Sequence, residues 1–206
     1  MNEAPSKRPW TIPAALAGVV AGAAMVGIAW LVLSPSAAAP TSAPLNPPDT
    51  LGGIDRMQIT VAKISKRPDA AQQQVDQEDR ADRENAARIS AAYSGAAAAS
   101  RIYMDPKAER GYKLTAVRAG SPGLVAVYTD TSLNVPGPFE EIRRFGDVEC
   151  QIRSDQREPT AAPVAKVCQR TGPGLTVRLE PGFTTDGSLD PEKMAAAVAE
   201  AWDALA

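Results

Sequence analysis

Cys150 and Cys168 are the only thiols in the chain, and seventeen residues separate them. A redox-active pair ordinarily has two intervening residues, so this spacing points to a structural disulfide rather than to thiol chemistry. Closing a loop of that size contributes on the order of 3 kcal/mol in the chain-entropy model. Histidine is absent, which removes the usual general base, the commonest metal ligand and every Ser-His or Cys-His nucleophile arrangement. Ala119-Gly120-Ser121-Pro122-Gly123 is glycine-rich but is not a nucleophile elbow, and it reads as a turn. No phosphate-loop or dinucleotide fingerprint is present.

Carboxylates are the remaining candidates. Two close carboxylates can hydrolyse a glycosidic bond, but Glu140 and Glu141 are adjacent, and in a strand they face opposite ways. Asp76, Glu78, Asp79, Asp82 and Glu84 fall within nine residues, interleaved with Arg80 and Arg83. That pattern suits a solvated helix face with ion pairs at i,i+3 and i,i+4 better than a calcium site. Asp186, Asp190 and Glu192 surround Gly187 but lack the alternating ligand series of a calcium loop. The expectation is therefore no catalytic residue, no metal and no cofactor. The one assigned pair is the disulfide Cys150–Cys168.

The elements that hold these residues can be read from periodicity. Ile54, Met57, Val61 and Ile64 have helical spacing, whereas Ile59-Thr60-Val61 suits a strand, so residues 51–67 stay ambiguous. From Asp69, a candidate N-cap, to about Ser100 the residues are strong helix formers without proline. The first half of that stretch is polar and is expected to be exposed. A stripe of Ala86, Ile89, Tyr93 and Ala97 should pack the second half on the domain. Strands are expected at 112–119, at 124–130, around Val148, Cys150 and Ile152, around Cys168, and at 175–179. Val135-Pro136-Gly137-Pro138 breaks the chain between the second and third of these. Asp190 caps a last helix with Pro191 in its first turn, and Met194, Val198, Trp202 and Leu205 form the face that docks on the sheet. The expected fold class is α+β, an antiparallel sheet of about five strands packed by a long helix and a C-terminal helix. The cysteines would cross-link the base of the polar hairpin between two consecutive strands.

The N-terminus has a different character. Residues 14–33 are twenty uncharged, mostly apolar residues, enough for a helix to span roughly 30 Å of hydrocarbon. Lys7 and Arg8 precede the run and no Lys or Arg follows until Arg56. The positive-inside rule then puts residues 1–10 in the cytoplasm and the rest outside. A cleaved signal peptide is the rival reading, supported by Ala37 and Ala39, but the run exceeds the usual length of a signal core. The expected organisation is a cytoplasmic tail (1–10), a transmembrane helix (11–34), a Pro/Ala/Ser spacer (35–50) and an extracytoplasmic domain (51–206). That domain holds 20 Lys and Arg against 22 Asp and Glu, with no basic excess to attract nucleic acid.

At FGDVECQIR and VCQRTGPGLTVRLEPG the chain resembles uncharacterised actinobacterial single-pass membrane proteins with an outer α+β domain and a cysteine pair. The resemblance implies location and fold, and no active-site residue comes with it. The expected function is a non-catalytic binding or assembly module at the plasma membrane, single-pass, whose partner is another envelope or membrane protein. A carrier or sensor of an apolar ligand is the first alternative and a carboxylate-based envelope hydrolase the second.

Overall fold

Alternation of buried and exposed residues along Val148–Arg153 and Leu175–Pro181 marks strands with one face in a core, and the tertiary structure places both in one sheet. The structure is a computed structural model that describes residues 43–125, 140–154, 162–182 and 190–206. The expected tail (1–10), transmembrane helix (11–34) and first part of the spacer (35–42) lie outside the described residues. So do 126–130, 135–138 and Asp186. Among the described residues, no helix is long and apolar enough to cross a membrane.

The fold is α+β. In chain order the elements are β1 (Thr50–Leu51), β2 (Ile54–Asp55), α1 (Met57–Ile64), α2 (Pro68–Ala92), β3 (Ala98–Met104), β4 (Gly111–Val117), β5 (Glu140–Phe145), β6 (Val148–Arg153), β7 (Val164–Gly172), β8 (Leu175–Pro181) and α3 (Pro191–Leu205). The main sheet has six antiparallel strands rather than about five, in the order β3-β4-β8-β7-β6-β5. Strands β5 to β8 form a meander that returns to pair with β4. The chain leaving β4 therefore has to cross to the far edge. Its first part, Arg118–Val125, runs over one face of the sheet: Gln169 Nε2 donates to the Pro122 carbonyl (2.8 Å) and the Leu124 amide donates to Glu149 (3.2 Å).

On the opposite face, α3 lays down Met194, Val198, Ala201 and Leu205 against Leu114, Val177, Leu179, Ile152 and the two cysteines. Asp190 caps this helix as expected, accepting from the Glu192 amide at 2.9 Å, with Pro191 in the first turn. Helices α1 and α2 cover the other face at β3, where Met57, Val61, Ala71 and Met104 form a second small core.

Several expectations are corrected. The ambiguous segment 51–67 resolves into a hairpin and a helix. Gly52 and Gly53 take φ of +57° and +73°, as the two-residue turn between β1 and β2 requires. The long helix begins at Pro68 with Arg67, not Asp69, at the N-cap, and it ends at Ala92 rather than near Ser100. Ser94 turns left-handed (φ +56°) and the Gly95 amide donates to the Ser90 carbonyl at 2.8 Å, a Schellman closure. The alanines beyond it have high helix propensity, yet pairing with β4 makes them the start of β3. Burial along α2 extends further than expected: Ala86, Ile89 and Tyr93 are half-buried, as the stripe requires, and part of the first half is covered too. Its fully buried residues, Ala71 and Asp82, lie in the half expected to be exposed, because α1 packs there. Residues 124 and 125 of the expected second strand are irregular.

The end of the expected spacer belongs to the domain. Leu45 is buried in the main core, Tyr103 Oη donates to the Pro48 carbonyl at 2.7 Å, and Thr50 opens β1. Proline-rich composition had argued for an extended spacer, but one leucine and a carbonyl suffice to dock its last residues. Leu45→Ala should therefore lower the unfolding free energy by roughly 2–3 kcal/mol. The exposed Pro44→Ala should change it by less than about 0.5 kcal/mol. Urea denaturation distinguishes the two, and equal stability would contradict the docking.

Candidate binding surface

The disulfide forms where the sequence placed it. Cys150 and Cys168 are register partners on β6 and β7, with Cα atoms 4.0 Å apart and both side chains fully buried. The short separation identifies a non-hydrogen-bonded antiparallel pair. The bridge joins the strands that bracket the polar hairpin, and α3 covers it, with the Pro191 carbonyl 3.9 Å from the Cys150 sulfur. Both sulfurs are thereby sealed from solvent, as a structural bridge requires.

The same two strands bring together a surface that sequence spacing did not reveal. Arg170, two residues past Cys168, lies with its guanidinium 4.5 Å from the ring centroid of Trp202 on the last turns of α3. Trp202 can lie this close to the sheet because residue 172 is glycine: a β-carbon there would stand 3.1 Å from the indole. Arg170 also pairs with Asp147 (3.0 Å) and, more loosely, with Asp203 (3.9 Å). Arg144 holds Glu149 at 2.6 Å beside them. Arg144, Asp147, Glu149, Arg170 and Trp202 line an open cleft of about 330 Å³, and Asp203 stands next to it at Arg170. Asp147 and Asp203 are largely exposed, whereas Arg170 is mostly covered. The cleft therefore offers an aromatic wall, a pinned cation and an acidic rim. That arrangement can hold a ligand or a partner's side chain. Trp202 was expected on the docking face of α3, and Arg170 carried no signal of its own, because only the register of β7 against α3 joins them.

A wider cleft of about 410 Å³ lies at the start of α3, lined by Arg143, Phe145, Ala162, Pro163, Asp190, Pro191 and Glu192.

The carboxylates weighed as candidates for chemistry or metal binding are dispersed. Glu140 accepts from Gln151 Nε2 at 2.8 Å while Glu141 pairs with Arg143, so the two leave β5 on opposite sides. Glu192 contributes its amide to the cap of α3. The cluster on α2 is not a uniformly solvated face. Asp82 is 2% exposed and accepts from Gln58 Nε2 at 3.1 Å, with Arg101 at 3.5 Å. Asp79 accepts from the same amide at 3.0 Å and lies 3.7 Å from Arg56. Within this segment Glu84 makes the helical pair, with Arg88, whereas the expected partners Arg80 and Arg83 form no ion pair among the described residues. Among the described residues no group of three acidic, Cys or His side chains is arranged to hold a metal.

No family model matches the chain, and no curated protein or solved structure is significantly similar to it.

Desolvation pushes the Asp82 carboxyl above its ordinary value of 3.8, against the opposing pull of Gln58 and Arg101. The folded state then holds this proton more tightly than the unfolded chain does. Its contribution to stability is largest at the acid end and falls as pH rises from 3.8 through the folded-state value. Asp82→Asn should flatten that part of the stability–pH profile relative to wild type, measured by urea midpoints between pH 3.5 and about pH 7. At the cleft, Arg170→Ala should cost about 0.5–1 kcal/mol through loss of the ring contact, read from the same denaturation curves.

Proposed function

We propose that the protein is a non-catalytic binding or assembly module, held on the outer side of a membrane by residues 14–33, that engages another envelope or membrane protein. The observation that supports this most is the Arg170–Trp202 cleft. Tryptophan and arginine are the side chains on which interface energy concentrates, and a half-buried indole beside a pinned guanidinium is already ordered, so binding costs little side-chain entropy. The oxidised cysteine pair agrees with an extracytoplasmic location, since such bridges persist where thiols are not kept reduced. The apolar run, its basic N-terminal flank and the absence of Lys or Arg from 34 to 55 support the single-pass orientation.

A photo-cross-linking residue in place of exposed Asp203, in full-length protein kept in its membranes, tests the reading. One discrete adduct is expected. It should be lost on Asp147→Arg, which leaves the core untouched and reverses the rim charge. A strictly monomeric protein without an adduct, or an adduct indifferent to Asp147→Arg, would overturn the assignment of the cleft.

A further inference from the structure

We infer that the turn between α1 and α2 is a second contact surface, and that its occupant is the anionic headgroup layer of the membrane to which the chain is anchored. The inference rests on the tethered reading above and adds to it where the domain touches the bilayer.

The turn carries Lys63, Ile64, Lys66 and Arg67. Ile64 is 46% exposed, one of two large apolar side chains so exposed among the described residues. Such a residue belongs in water less than any other on α1, whose Met57 and Val61 are buried. Lys66 and Arg67 are exposed and form no ion pair among the described residues. Lys63 is partly neutralised by Asp55 at 2.6 Å, and Asp69 stands in the first turn of α2. The two uncommitted cations thus follow an exposed isoleucine in one turn, the combination that seats on an acidic lipid surface: each cation adds about 1 kcal/mol there and the apolar side chain enters the interface.

Chain connectivity puts that surface within reach. Asp55, which holds Lys63, is the register partner of Thr50, so the turn is tied to the segment through which the chain joins the domain. Leu45 and Pro48 are docked, so the chain is fixed to the domain from residue 45 onward. Nine residues, 34–42, separate the apolar run from the first described residue. Fully extended, nine residues span at most about 30 Å. On the tethered reading the domain follows the apolar run by no more than that length of chain, and the basic, apolar turn joined to β2 through Asp55 is chemically suited to an acidic surface.

The test uses full-length protein in liposomes. A nitroxide on Ile64→Cys reports depth through its relative exposure to oxygen and to an aqueous paramagnetic reagent. In vesicles containing about a third phosphatidylglycerol, the label should read as headgroup-embedded. In pure phosphatidylcholine, or with Lys66→Gln and Arg67→Gln in the acidic vesicles, the docked fraction should collapse. Two cations at about 1 kcal/mol each predict roughly a thirty-fold fall in the docked-to-free ratio. A label freely exposed to the aqueous reagent in acidic vesicles, or a depth unchanged by the double substitution, would overturn the inference. Alkaline carbonate extraction of the same vesicles reports the anchor separately. Release into the supernatant refutes residues 14–33 as a span, while label depth alone judges the turn.

Discussion

The packing of α3 across one face of the sheet is the constraint to which the other parts conform. Met194, Val198 and Ala201 are completely buried against Leu114, Val177, Leu179 and the cysteines. Burial of this kind is worth about 1.5–3 kcal/mol for each large side chain. The helix can approach because alanines at 195, 197 and 201 keep its inner face low, and because Gly172 leaves room for the indole of Trp202. With α3 in place the disulfide is sealed. The Arg170–Trp202 contact sits at the margin of that packing, where the core gives way to solvent.

The other face follows a different logic. There β3 is covered by α1 and α2, and β6 to β8 are met by the chain leaving β4. The interface of α2 is partly polar: Gln58 bridges Asp79 and Asp82, and Arg101 approaches from β3. A buried carboxylate held by an amide and a distant guanidinium contributes less stability than apolar packing but fixes which residues of α2 face the sheet. This accounts for a long helix with a nearly polar sequence lying on a domain rather than projecting from it. The β1–β2 hairpin completes the first core from the side, with Leu51 and Ile54 buried and the Gly52 amide donating to Glu200 of α3 at 3.0 Å. The N-terminal hairpin is thereby coupled to the helix that carries Trp202.

Much of this was legible in local patterns. The alternation at Val148, Cys150 and Ile152, the strand at Leu175, Val177 and Leu179, and the capped helix from Pro191 all follow from periodicity and end chemistry over a few residues. So did the disulfide, because two cysteines in one chain leave a single intramolecular pairing. The end of α2 was not legible: alanine favours helix wherever packing is neutral, and only the partner β4 makes 98–104 a strand. The docking of 43–50 was hidden for the same reason, since composition averages over prolines and misses one buried leucine.

The chain's own order of residues determined the class of the fold, the cysteine bridge, the start of α3 and the absence of histidine chemistry, because each depends on residue type or on neighbours a turn or a strand apart. Tertiary structure decided the sixth strand, the crossing from β4 toward β5, the burial of Asp82 and the meeting of Arg170 with Trp202. Those features join residues tens of positions apart. Their free energy comes from contacts that exist only once the sheet register and the seat of α3 are set, and no local spacing encodes them.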